Sequence, residues 1–225
     1  MLLSIETTEK FGSVALLDGE QLLHELRLPT TGRSAKTLAP ALDCLLREEH
    51  CTPADIKAVA VVVGPGSFTG LRVGVATAQA FAYAVGAGIV AVDTMRTVAA
   101  GVPLREGFLS VGVDAQRGDV VTQTFEWTPE GPFPISDRRL MSVSDWWTEK
   151  DRFPQVVFTG PALERFRTKI PKGAVLADES FWTPRASVAG RLASMRWDAG
   201  ESEDLWSLVP IYSRLSAAEE RRSIG

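Results

Sequence analysis

The chain has 225 residues, 45% of them hydrophobic and 23% charged, with a formal net charge of -4. That length makes one large domain or two small ones, and the composition is that of a globular protein with a sizeable core. The acidic balance excludes a protein that grips nucleic acid by itself, because phosphates are neutralised by a dense Lys/Arg surface. The opening apolar run breaks at Glu6, too early for a signal segment or a membrane span, so no membrane partner and a cytoplasmic location are expected. Cys44 and Cys51 are the only cysteines. On one helix they would lie about 10 Å apart along its axis, beyond disulfide reach, which suits a reducing compartment.

Residues 2–5 and 13–17 are short β-prone runs separated by the polar turn 6–12, and residues 22–28 can add a third strand to an antiparallel meander. A helix is expected over 34–49, with Leu38, Leu42, Leu45 and Leu46 on one face. Pro40 must then fall in its first turn or cause a kink. Residues 58–63 read as a strand buried on both faces. It runs into a glycine-rich loop, 64–70, and an Ala-rich helix to about Val85. A strand at 89–92 and a short helix at 94–100 complete the first half.

The second half begins near Val102. Residues 109–113 and 120–127 form a hairpin, and 128–137, with three prolines, reads as a surface loop. A strand at 156–158 leads through Gly160-Pro161 into a helix ending near Lys169. A strand at 175–177 and a helix at 187–196 follow, and residues 205–214 can return to the first half. The expected division is 1–101 plus 205–225 against 102–204. Each half opens with an apolar strand, an acid at its end (Glu6, Asp114), a turn with glycine and a second apolar strand. That duplication is the pattern of the actin-like, ribonuclease H-like α/β fold, with mixed sheets flanked by helices and two turns that clamp nucleotide phosphates.

The loop Gly64-Pro65-Gly66-Ser67-Phe68-Thr69-Gly70 joins a buried strand to a helix whose free N–H groups favour an anion. Ser67 and Thr69 are candidate N-caps, and the spacing matches neither the Rossmann nor the Walker motif. A tight structural turn that binds nothing remains the alternative. Along the helix, Gly70, Gly74, Ala78 and Ala82 recur every four residues and form a smooth stripe. With the leucine face of 34–49 it could build a flat docking surface, or it could pack inside the chain.

The segments Ser4-Ile5-Glu6-Thr7-Thr8, Gly64–Gly70 with Leu71-Arg72-Val73-Gly74, Val113-Asp114-Ala115-Gln116-Arg117-Gly118 and Pro210-Ile211-Tyr212-Ser213-Arg214 resemble, in order and spacing, the signatures of the TsaB family. The resemblance implies a degenerate nucleotide cleft in which Glu6, Thr7, Thr8, Gly64, Gly66, Ser67, Thr69 and Gly70 are a vestigial phosphate loop. It implies a non-catalytic subunit that pairs with the TsaD-type paralogue, which transfers threonylcarbamoyl to the adenosine beside the anticodon of tRNA. Leu38, Leu42, Leu45, Gly70, Gly74, Ala78 and Ala82 would then face the partner or, in the lone subunit, a second copy. A TsaE-type ATPase joins the complex, tRNA is met only through it, and any ATP/ADP and Mg belong to the partner complex.

Where the TsaD-type paralogue carries an H-x-x-x-H metal motif, Thr94 and Val98 stand here, and the only histidines, His24 and His50, lie apart as surface residues. The second turn follows Asp114 with Ala115 and Gln116 and lacks hydroxyls. Catalytic and metal residues are therefore expected to be none. Ser34 replaces a His common in the family, and Arg214 with the tail 219–222 is read as solvated charge. The rival readings are an ATP-dependent small-molecule kinase of the same fold, a metallopeptidase, and an actin-like interaction module unrelated to tRNA.

Overall fold

The computed structural model describes residues 1–29 and 34–213. In chain order the first half runs β1 (Leu2–Glu6), β2 (Ser13–Asp18), β3 (Gln21–Arg27), α1 (Ser34–Glu48), β4 (Ala58–Gly64), α2 (Phe68–Val85), β5 (Gly88–Asp93) and α3 (Thr94–Gly101). The second half runs β6 (Gly107–Asp114), β7 (Asp119–Thr128), β8 (Gly131–Pro134), β9 (Arg139–Ser142), α4 (Val143–Trp146), α5 (Glu149–Arg152), β10 (Val157–Thr159), α6 (Ala162–Arg165), β11 (Val175–Leu176) and α7 (Ala186–Asp198). The sheets have the orders β3-β2-β1-β4-β5 and β11-β10-β6-β7-β8, with β9 beside β7. β1 pairs antiparallel with β2 and parallel with β4, and β6 does the same with β7 and β10. Traced from the far edge of each hairpin, the two orders coincide. This is the duplicated actin-like α/β fold, and Glu6 and Asp114 end equivalent strands.

Alternation along the strands sorts the first sheet's side chains onto two faces. Leu3, Ile5, Val14, Leu16, Val59 and Val61 meet α1 and α2 on one side. Leu2, Ala15, Leu17, Ala60 and Val62 meet Ala186, Ala189 and Ala193 of α7 on the other. Only small residues let α7 lie this close: a side chain at Gly190 would overlap Leu17. The second core centres on Trp146, whose ring fills a niche left open by Gly112 and lies 5.5 Å from the Phe158 ring. Its Nε1 donates to Ser110 Oγ at 2.8 Å, so the buried indole N–H is satisfied.

The structure corrects the sequence reading in three places. Helix α7, expected in the second half, packs on the first sheet, because its Ala/Gly face matches the small residues of β4. Helix α3, expected in the first, contributes Met95, Val98 and Ala99 to the second core, so the boundary at residue 102 is crossed both ways. Within the expected loop 128–137, Gly131–Pro134 pairs with β7, and the short strand β9 follows it. Proline is tolerated there because β8 lies at the sheet edge. Pro40 sits inside α1 beyond its first turn, on the exposed side, where water can satisfy the carbonyl it leaves unpaired. The expected return of the chain is present: Ile211 N donates to Val63 O at 2.7 Å, and Gln79 Nε2 donates to Leu205 O at 2.7 Å. Arg214 and the tail 219–222, like the Ser34 side chain, lie outside the described residues.

Trp146→Ala should lower unfolding free energy by about 3–5 kcal/mol in urea titrations, the cost of emptying a large aromatic site. Trp146→Phe keeps a ring near Gly112 and should cost less than the alanine variant.

Candidate functional site

The site is assembled where β1 and β4 end. The β4–α2 connection contains a cis Gly64-Pro65 peptide, and Gly64 has φ 122°, a conformation that favours glycine. Ser67 caps α2 by accepting from Gly70 N at 3.3 Å; of the two candidate caps it is the one used. The loop closes directly on the turn after β1. Ser67 N donates to Thr8 O at 2.7 Å, and Thr7 Oγ1 donates to Gly70 O at 2.8 Å. Side chains at Gly66 or Gly70 would overlap the backbone of Thr8 or Thr7, and one at Gly74 would overlap the Thr7 hydroxyl. Thus the two glycine-and-hydroxyl segments, distant in sequence, are built against one another.

That closure also engages the polar groups of the first turn. Thr7 and Thr8 are buried, and Thr8 Oγ1 donates to Glu6 Oε1 at 2.6 Å, alongside Thr8 N at 2.5 Å. Both hydroxyls are already engaged within the protein. Glu6 is fully buried, and its second oxygen has no partner among the described residues. Burial raises its carboxyl from 4.5 to about 7, against the opposing Thr8 hydrogen bonds.

Between the halves lies a cleft of about 250 Å³, lined by Gly66, Ser67, Phe68 and Thr69 from the first and by Asp114 and Gln116 from the second, with Glu9 between them. Burial, reinforced by the charges of Glu6 and Asp114, pushes the Glu9 carboxyl up to about 8. Asp114 accepts from Gln116 N at 2.9 Å and pairs with Arg165 at 3.1 Å. Two acids thus line the cleft, Glu9 holding its proton up to about pH 8 and Asp114 paired with Arg165, beside the hydroxyl residues Ser67 and Thr69. Glu9 and Phe68 were missed in the sequence; only an acid inside a polar turn and an aromatic beside the glycines marked them.

The proposed docking residues are placed inward. Leu38, Leu42, Leu45, Ala78 and Ala82 are at most 5% exposed, in the core between the helices and the first sheet. Gly70 and Gly74 are buried against Thr7. The stripe is this chain's own packing surface, because small residues on α2 let it approach the β1 turn. The outward face of α2 carries Arg72, Ala76, Ala80, Tyr83 and Ala84. Thr94 and Val98 are buried, so the places of the metal motif face the interior. His24 is half-buried with Nδ1 3.1 Å from Glu49 Oε1, and His50 is exposed. No group of three or more His, Cys, Asp or Glu that could hold a metal occurs among the described residues.

A carboxyl whose folded pKa is raised binds its proton more tightly folded than unfolded. Stability is then fullest below the unfolded value and declines as pH rises from about 4.5 through 7 for Glu6, and on to 8 with Glu9. Glu6→Gln should therefore gain about 1–3 kcal/mol at pH 8.5 and little at pH 5, read from urea unfolding at the two pH values.

Among known proteins, the family model described as TsaD, tRNA N6-adenosine threonylcarbamoyltransferase, matches residues 30–150. The chain is 31% identical over 235 residues to the tRNA threonylcarbamoyladenosine biosynthesis protein TsaB of Escherichia coli (strain K12), covering 96% of each. It is 29% identical over 225 residues to the protein of the same description from Bacillus subtilis (strain 168), covering 98% of this chain and 96% of that one. In fold it is similar to a crystal structure of an uncharacterized Pseudomonas aeruginosa protein with similarity to peptidase YEAZ. The TM-score is 0.79 at 23% identity, over 95% of this chain and 99% of that one. It also shares its fold with an activator of the 2-hydroxyisocaproyl-CoA dehydratase from Clostridium difficile with bound ADPNP, at TM-score 0.50 and 10% identity, over 90% and 98% of the chains. Matched over nearly its whole length by the Escherichia coli protein, the chain belongs to the TsaB family.

Proposed function

We propose that this chain is a non-catalytic subunit of the machinery that forms threonylcarbamoyladenosine in tRNA, supporting a TsaD-type catalytic paralogue. The observation that carries the reading is the state of the cleft: Thr7 and Thr8 spend their hydroxyls inside the protein while Glu9 and Asp114 line the space between the halves. A phosphoryl-transfer site needs donors and metal-binding carboxylates arranged around phosphate from both turns. Here the first-turn hydroxyls of Thr7 and Thr8 are engaged inside the protein, and the second turn follows Asp114 with Ala115 and Gln116, which bring no hydroxyl. ATP/ADP and Mg act at the partner complex, with a TsaE-type ATPase, and this subunit needs no cofactor of its own. tRNA is engaged through the complex, in the cytoplasm, and the lone chain can pair with itself. Among the described residues no helix is long and apolar enough to cross a membrane.

The docking face consistent with the packing is the outward side of α2, where Ala76, Ala80 and Ala84 let another helix approach closely and Tyr83, 67% exposed, supplies an aromatic anchor. The chain's final described segment borders it, with Trp206 against Tyr83 at 5.3 Å and Phe68 against Tyr212 at 4.8 Å.

Reconstitution tests the function. Threonylcarbamoylation of tRNA by a TsaD-type partner, with TsaE-type and adenylate-forming enzymes present, should require this chain, which alone should neither modify tRNA nor turn over Mg-ATP. Turnover by the isolated chain near 1 per second, within the range of kinases, would overturn the reading.

Two substitutions distinguish the helix faces. Ala80→Glu should leave the far-UV circular dichroism intact and weaken partner binding at least tenfold. Ala78→Glu, which buries an unpaired carboxylate at a position 0% exposed, should unfold the subunit. Normal partner binding by a folded Ala80→Glu variant would move the interface elsewhere.

A further inference from the structure

A second cavity, sharing no lining residue with the acidic cleft, lies where β3, α3 and α7 meet the segment leading into α7. It encloses about 200 Å³, with Leu22, Phe181 and Val188 as apolar walls. Its charge is the reverse of the cleft's. Arg185 and Arg191 line it, and no carboxylate does.

Arg185 gives Nε and Nη2 to Glu25 Oε2, which cancels that carboxylate and leaves Nη1 without a bond among the described residues. Arg191 forms no ion pair among the described residues, and Thr183 and Ser187 bring hydroxyls into the same lining. The first-turn amides of α7 play no part. Ala186 N and Ser187 N donate to Ser13 Oγ and Glu25 Oε1 at 2.8 and 2.9 Å, and Val188 N and Ala189 N donate to Arg185 O at 3.1 and 3.0 Å. Recognition would rest on side chains alone.

We propose that this cavity is an oxyanion site that takes a phosphoryl group, held by the Arg191 guanidinium, the free edge of Arg185 and the hydroxyls of Thr183 and Ser187. Guanidinium and hydroxyl donors in one lining match the several acceptor oxygens of a phosphoryl group. Thr183 and Arg185 belong to the segment that follows the second sheet, while Ser187 and Arg191 belong to α7, which packs on the first sheet. A bound anion would therefore tie that segment to the first domain. The proposal is independent of the role assigned to the acidic cleft.

Titration of the intact chain with inorganic phosphate, at ionic strength held constant with sodium chloride and followed by amide and arginine side-chain NMR, tests it. Saturable shifts at Thr183, Ser187 and Arg191 are expected. Arg191→Gln should weaken phosphate binding at least tenfold with the spectrum otherwise unchanged. Gly101→Leu offers an independent block, since a Cβ at Gly101 meets only a Val188 methyl, at 3.8 Å, and the longer side chain grows into the cavity. Ribose 5-phosphate and an RNA hairpin, added as competitors, distinguish a phosphomonoester from a nucleic-acid backbone as the source of the group. Shifts reproduced by chloride alone, or phosphate affinity unchanged in Arg191→Gln, would overturn the site.

Discussion

The structure depends on the contact between the start of α2 and the turn after β1. Gly66, Gly70 and Gly74 are bare so that Thr7 and Thr8 can pack against the helix backbone. Two hydrogen bonds lock the approach, from Ser67 N to Thr8 O and from Thr7 Oγ1 to Gly70 O. Because β1 and β4 are neighbours in the sheet, this contact also sets how α2 lies across it and where its outward face points. The glycines of the phosphate-like loop thus serve internal packing, and the Thr7 and Thr8 hydroxyls of the facing turn are engaged within the protein.

Electrostatics in the cleft follow from that closure. Sealing the β1 turn buries Glu6 completely, with one oxygen satisfied by Thr8 and the other without a partner among the described residues. A carboxyl in such surroundings favours its proton, and its charge in turn disfavours ionisation of Glu9. Asp114, at the equivalent strand end of the second half, adds a further acid but is held by Arg165. The duplicated fold therefore brings the acids Glu9 and Asp114 to one cleft. The second cavity, with arginines and hydroxyls, carries the opposite charge in the same small molecule.

The two halves repeat a topology without repeating their packing. The first sheet is covered by helices on both faces, so its strands read as continuous apolar runs, β4 most clearly. The second core is filled instead by large aromatic side chains around Gly112, with α3 donated from the first half. Exchange of α3 and α7 across the midpoint of the chain ties the halves more firmly than a linker would.

The sequence by itself determined the strand-and-helix order, the repeated hairpin with its terminal acid, the capped glycine loop and the return of the last segment. Each rests on local periodicity, turn chemistry or spacing, which a short window contains. Periodicity also identified the small stripe of α2 and the leucine face of α1 as special surfaces. It could not say whether the sheet or a partner covers them, because a helix stripe looks the same from either side. Tertiary structure decided that: the sheet takes Ala78, Ala82 and Leu45, leaving Ala76, Ala80 and Tyr83 outward. It also decided that Thr7 and Thr8 are buried with their hydroxyls engaged inside the protein, that α7 serves the first sheet, and that Glu9 and Asp114 share one cleft. These depend on contacts between residues far apart in the chain, whose register is set only when both sheets are assembled.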